Sequence, residues 1–172
     1  IFAFGKFSIQ AFIQANKLGW HPQVYVNAVS SAANIMGLAT VGTSKKQTNG
    51  SLSIVFLKDP TDAHWAKDPG VKLYRSIMKR YYPSGRASDV YNFYGMAVAF
   101  SMVDALKHAG RNLTRDSLLR AATHMDERNN PFLLPGVAVK TSPSNYFPIT
   151  KAKMVSYRGT RWVLFGPLVT AR

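Results

Sequence analysis

The chain has 172 residues and a mass of 19.1 kDa, with 47% apolar and 12% aromatic residues. That composition supports a packed core and argues against global disorder. There is no cysteine, which excludes disulfide frameworks, thiolate metal sites and cysteine nucleophiles. Lys and Arg number 22 against 8 Asp and Glu, a formal net charge of +14.

The charge is unevenly placed. Residues 1–58 hold five lysines (Lys6, Lys17, Lys45, Lys46 and Lys58) and no acid. Residues 59–135 hold eleven Lys and Arg and all eight acids, and residues 136–172 hold six Lys and Arg and again no acid. If the two outer segments meet in space, one body of the protein is strongly basic and the other nearly balanced. Basic surfaces favour nucleic acid, anionic membranes or acidic partners. However, zinc-finger spacing, dense basic runs and aromatic-basic RNA-binding patterns are all missing, so no nucleic acid is expected. The chain opens at Ile1 with neither Met nor a charged-then-apolar leader, and it is read as a fragment or processed product.

In chain order, residues 1–4 (Ile-Phe-Ala-Phe) read as a buried strand that ends at Gly5. Helical spacing follows over residues 7–18, with Phe7, Ala11, Ala15 and Leu18 on one face. Gly19 stops the helix and Pro22 follows. Residues 23–29 are β-branched and strand-like. Strand, helix, glycine stop and strand within about 30 residues describe a βαβ unit with parallel strands.

Residues 30–36 can begin a short helix, and 37–50 are polar, glycine-bearing and loop-like. Residues 51–57 form a further strand candidate, and turn chemistry marks 58–62 and 67–70. An amphipathic helix is expected over 71–82, with Val71, Tyr74, Met78 and Tyr81 on its stripe. The segment 90–109 is apolar almost all round and reads as a buried helix ending at Gly110. Its apolar run, broken by Asn92 and Ser101, falls short of the roughly 18–20 residues of a membrane span. Thr114 is placed to cap a helix running to about His124, with Asp116 in its first turn. Residues 153–157 and 161–165 flank Arg158-Gly159-Thr160 as a hairpin.

Catalytic signatures are sparse. The histidines His21, His64, His108 and His124 show neither HxH nor HExxH spacing, so no metal site is expected. There is no GxSxG elbow and no phosphate-cradling GxxxxGK[ST] or GxGxxG loop. Asp126 and Glu127, the one adjacent carboxylate pair, read as a solvated turn. Asn49-Gly-Ser51 and Asn112-Leu-Thr114 match the glycosylation sequon and are read as chance matches. Neither an enzyme nor a cofactor is expected.

Several phrases taken in order point further. They are Phe12-Ile-Gln-Ala-Asn-Lys-Leu-Gly-Trp-His-Pro22, Leu57-Lys-Asp-Pro-Thr-Asp-Ala-His-Trp65 and Leu106-Lys-His-Ala-Gly-Arg-Asn-Leu-Thr-Arg115. Leu133-Leu-Pro-Gly136, Lys140-Thr-Ser-Pro-Ser-Asn-Tyr-Phe-Pro-Ile149, Arg158-Gly-Thr-Arg-Trp162 and Phe165-Gly166 complete them. Together they resemble the substrate-binding proteins of ABC importers in the branched-chain amino-acid, leucine-binding-like family, over nearly the whole chain.

The resemblance implies an α/β fold class: the C-terminal half of a two-lobe type I periplasmic-binding-protein fold. Parallel sheets flanked by helices and a C-terminal hairpin belong to it. It implies that residues 1–50 form part of lobe 2, residues 51–137 part of lobe 1, and residues 138–172 the return to lobe 2. The two acid-free segments then fall in one lobe, in agreement with a charge map drawn without the family.

The implied activity is capture of a small molecule between hinged lobes and its delivery to ABC permease subunits in the membrane. The upstream half of the same protein is an implied partner and the periplasm the implied location. The ligand-binding positions implied are Phe4, Lys6, Ser8, Asn27, Ser30, Tyr91 and Asn92. One departure stands out. Amino-acid binders of this family place a carboxylate for the ligand ammonium where this chain has Ala28. An ammonium buried without a counter-charge is costly, so a carboxylate or amide without an amine fits better. A cytoplasmic ligand sensor on the same fold and a basic nucleic-acid-binding domain are the alternative readings.

Overall fold

The chain starts in one unit, leaves it after Val55 and returns at Lys153 in the computed structural model, which describes residues 1–171. Unit 1 comprises Ile1–Val55 and Lys153–Val169, and unit 2 comprises Phe56–Ala152 with the residues from Thr170.

Unit 1 begins with an extended segment whose Ile1 backbone meets residues 25–27. The Ile1 amine donates to the Tyr25 carbonyl at 2.5 Å, and Asn27 N–H donates back to the Ile1 carbonyl at 3.1 Å. Helix α1 (Lys6–Lys17) connects them. Its end is sealed as a Schellman motif. Gly19 (φ 64) donates to Asn16 and Trp20 donates to Ala15, so two terminal carbonyls are satisfied. Tyr25 bridges Leu52 in parallel, at the start of β1 (Leu52–Val55). β1 then pairs antiparallel with β4 (Lys151–Arg158), which is followed by β5 (Arg161–Thr170), giving the order β1-β4-β5. The antiparallel hairpin last is as expected, but the strand expected over residues 23–29 is reduced to the single parallel bridge at Tyr25, because the chain turns into the 3₁₀ segment Ala28–Ser30.

The core of unit 1 gathers Phe12 of α1, Val24 and Val26, Met36 and Ala39 of α2 (Ala33–Val41), and Val155, Tyr157 and Trp162 of the hairpin. Among the described residues, the buried Tyr157 hydroxyl has no hydrogen-bond partner. Replacing Tyr157 with Phe removes an unpaired polar group without changing the ring, so stability is expected to hold or rise by about 1 kcal/mol in denaturant melts. A loss above 1 kcal/mol would show that the hydroxyl is satisfied in solution.

Two further expectations for unit 1 need correction. Residues 1–4 are not a buried strand: the segment pairs on one edge, Ile1 packs against the unit 1 core, and Phe2 (90%) and Phe4 (65%) are exposed on the other face. Residues 37–50 are not all loop. α2 continues to Val41, and Ser44 caps a short helix α3 (Lys45–Thr48) by accepting from Gln47 N–H at 3.2 Å.

Unit 2 is mainly helical, with α4 (Pro69–Tyr81), α5 (Val90–Ala109) and α6 (Arg115–Ala122). Its ladder of named strands is one antiparallel pair, β2 (Asp126–Glu127) with β3 (Val139–Lys140). The core joins Val71, Tyr74 and Met78 of α4 to Phe93 and Ala97 of α5 and to Phe132. Tyr81 lies outside it and is exposed, because α4 reaches its last turn there and the stripe leaves the packed face. Thr114 caps α6 as expected, and Ser117 returns a bond to the Thr114 N–H, completing a capping box. α6 ends at Ala122, a little short of His124.

The solvated-turn reading of Asp126 and Glu127 holds for Asp126 alone. Glu127 is 6% exposed. It accepts from Ser101 Oγ at 2.5 Å and from Asn130 Nδ2 at 3.3 Å. Asp126 stays outside, paired with Arg128 at 2.9 Å, and that guanidinium holds its carboxyl below the ordinary value.

Candidate functional site

In unit 1 two loops leave the carboxyl ends of neighbouring parallel segments. In open α/β sheets that edge is where ligands bind. The first loop covers residues 3–8 and enters α1, and the second covers 27–31. Buried Ser30 laces them together, and buried Ser8 braces the first loop from within. Ser30 Oγ accepts from Gly5 N–H at 3.2 Å and donates to the Ala3 carbonyl at 2.5 Å. Ser8 Oγ donates to the same carbonyl at 3.0 Å. Asn27 closes the second loop by accepting from Ser30 N–H at 3.2 Å through its side chain.

Gly5 is the pivot. Its φ of 47° and ψ of −111° lie where an L side chain is strained. This turn leaves Phe4 and Lys6 exposed at the start of α1. The helix start carries no acidic residue and no side-chain cap. Its amide dipoles and the Lys6 ammonium, 5.3 Å from the Phe7 ring centroid, together favour an anion.

The expected positions therefore divide by what their side chains do. Phe4 and Lys6 present exposed groups, and Asn27 is half-buried. Ser8 and Ser30 are buried, and their hydroxyls are engaged in holding the loops. The sequence reading did not include Ser31, whose carbonyl accepts from the buried Trp162 indole N–H and so ties the second loop to the hairpin.

In unit 2, Tyr91 and Asn92 occupy the first turn of α5. Asp89 caps that helix by accepting from Tyr91 N–H at 2.9 Å. Burial pushes the Tyr91 hydroxyl pKa up, and the Asp89 charge adds to the rise. Asn92 donates through Nδ2 to the Arg86 carbonyl at 3.0 Å, bracing the loop before the helix.

No carboxylate lies in unit 1, since residues 1–55 and 153–169 contain neither Asp nor Glu. Ala28 opens a 3₁₀ turn, Ala28–Ser30. Among the described residues, no group of three or more acids and histidines is placed to hold a metal ion. No helix among them is long and apolar enough to cross a membrane.

No protein-family model matches the chain, and no curated protein matches it by sequence. Solved structures do match. A branched-chain amino-acid ABC transporter protein from Thermus thermophilus, crystallised with bound valine, superposes with a TM-score of 0.74 at 18% identity. The match covers 95% of this chain and 43% of that one. A Pseudomonas fluorescens group protein described as an ABC transporter permease gives a TM-score of 0.66 at 14% identity, over 98% of this chain and 42% of that one. An extracellular ligand-binding receptor from Rhodopseudomonas palustris gives 0.58 at 16% identity, over 95% and 46%. This chain spans less than half the length of each. The proteins similar to it are transport and ligand-binding proteins rather than enzymes. The likeness is one of fold: the chain has the α/β architecture of part of a type I periplasmic-binding-protein fold.

Proposed function

We propose that this chain is the C-terminal part of the solute-binding component of an ABC importer. In this reading Phe4, Lys6 and Asn27 of unit 1, and Tyr91 and Asn92 of unit 2, are the ligand-binding positions. Ser8 and Ser30 hold the loops of unit 1 in place. The complete protein acts outside the cytoplasmic membrane and docks on permease subunits.

The observation that carries this reading is the laced loop pair of unit 1. It presents a helix start with no side-chain cap, a lysine and an exposed aromatic at one end of a fold shared with ligand-binding proteins. The same loops set the chemistry. The helix start and Lys6 suit a carboxylate or amide oxygen, and Phe4 suits an apolar or aromatic body. With no acid in unit 1, a ligand ammonium finds no counter-charge there.

The test is calorimetric titration of the complete protein with aliphatic and aromatic carboxylates, amides and α-amino acids. One class is expected to saturate at one ligand per protein. Phe4→Ala is expected to weaken that binding about tenfold or more, the equivalent of roughly 1.4 kcal/mol. Saturation unaffected by Phe4→Ala would remove Phe4 from the site. No saturation by any solute would remove the function.

A further inference from the structure

Unit 1 carries seven Lys and Arg and no acid, so no carboxylate within it neutralises them. Their placement is uneven. Lys17 ends α1, and Lys45 and Lys46 begin α3. Arg158 and Arg161 flank the hairpin turn between β4 and β5. Lys6, at the start of α1, stands roughly 17 Å from Lys17 along the helix.

Two hydrogen bonds bring the elements that carry the other five to one end of the unit. Gln47 of α3 donates through Nε2 to the Trp20 carbonyl at 3.2 Å, which ties α3 to the chain leaving α1. Gly159 N–H donates to the side chain of Asn49, the residue after α3, at 2.7 Å, which ties α3 to the hairpin turn. Lys17, Lys45, Lys46, Arg158 and Arg161 are all exposed. Among the described residues none of them is in an ion pair. Like charges gathered this way repel and work against the compact state, so packing within the unit does not account for them.

The same end exposes apolar side chains. Leu18 is 70% and Trp20 62% exposed. Trp20 is held in place, since its N–H donates to the Ala15 carbonyl at 2.9 Å and its carbonyl takes Gln47. Tryptophan and leucine among lysines and arginines suit a membrane–water interface. An indole sits at headgroup level, an aliphatic side chain enters the acyl boundary, and each nearby cation adds attraction to an anionic surface. A phosphate backbone uses the cations but leaves Leu18 without a partner.

We propose that this end of unit 1, with Trp20 and Leu18 set among Lys17, Lys45, Lys46, Arg158 and Arg161, docks on an anionic lipid surface. The candidate ligand loops lie at the opposite end of α1 and stay free of the lipid. The proposal does not rest on the solute reading.

The test sediments the complete protein with vesicles of phosphatidylcholine alone or mixed with phosphatidylglycerol. Binding is expected to the mixed vesicles, with a blue shift of tryptophan emission and quenching by brominated lipid that are both lost in Trp20→Phe. Lys45→Gln, Lys46→Gln and Arg158→Gln together are expected to weaken binding at least tenfold. The control removes the same charge from exposed positions of unit 2, as Lys72→Gln, Lys79→Gln and Arg80→Gln, and is expected to retain most of the binding. Equal losses in the two triple variants would show long-range charge alone and overturn the proposal. So would an unshifted Trp20, a Trp20 already shielded from acrylamide before vesicles are added, or a Trp20 response to duplex DNA and none to vesicles. Solute binding is titrated without vesicles, so failure of either reading leaves the other standing.

Discussion

Asp68→Ala is expected to cost about 3–5 kcal/mol in denaturant unfolding, the range for stranding a buried charge. Asp68 has two tasks. Its Oδ1 caps α4 by accepting from Val71 N–H at 3.1 Å, and its Oδ2 accepts from Lys58 Nζ at 2.8 Å. Lys58 is buried, and its ammonium also donates to the Pro131 carbonyl at 2.8 Å and stands 5.5 Å from the Trp65 ring centroid. Removing the carboxylate strands that ammonium and opens the helix start.

Lys58→Met combined with Asp68→Ser keeps a cap and removes both charges, so it is expected to be milder than Asp68→Ala alone. The backbone around this pair is equally tight, since a Cβ on Gly70 would stand 2.1 Å from the Pro131 carbonyl oxygen. A loss below 1 kcal/mol for Asp68→Ala would show that the pair is solvated.

The same pair sets a pH dependence. Burial alone would raise the Asp68 carboxyl, but the bond from Lys58, the Val71 and Gly70 amides and the Lys58 charge outweigh it and hold the pKa below 3.8. A depressed folded-state pKa means the contribution is complete above the unfolded value. It is lost as pH falls through the folded one. Wild-type stability is therefore expected to fall in acid below pH 3.8 more steeply than that of the double variant.

Trp162→Ala is expected to cost about 3–5 kcal/mol. The ring is buried in the unit 1 core and meets Tyr157 edge-on, with centroids 5.2 Å apart. Trp162→Phe keeps much of the packing but leaves the Ser31 carbonyl without its indole donor, so about 1–3 kcal/mol is expected. Ser31 adjoins Ser30, which holds Gly5 and Ala3, so Trp162→Phe is also expected to weaken ligand binding. Unchanged stability in Trp162→Phe would show that water replaces the donor.

What the sequence disclosed follows the range of the interactions involved. Features set by neighbours in the chain were legible: the Gly19 stop of α1, the Thr114 cap and the hairpin turn at residues 158–161. α3 was hidden because its four residues, Lys-Lys-Gln-Thr, carry no apolar period and rest on the Ser44 cap. α5 was legible as a helix, but its burial depends on what packs against it.

Glu127 read as solvated because the partner that buries it, Ser101, lies 26 residues away. The candidate loops were found from their places after strands. Which way Ser8 and Ser30 point was not, because one hydroxyl of Ser30 serves both Ala3 and Gly5 from across the sheet edge. Exposure of Phe4 follows from the same lacing, through the turn at Gly5.

The most direct test of the central claim is thermal unfolding of the complete protein with matched pairs of ligands, each an α-amino acid and the same acid without its amine. A ligand at about 100 times its dissociation constant adds roughly 2.7 kcal/mol of stability. A melting rise with one amine-free carboxylate, and little with its amino-acid twin, is the result predicted for a binding lobe without acids. A rise with the amino acid alone would contradict the ligand class, and no rise with any pair would contradict solute binding itself.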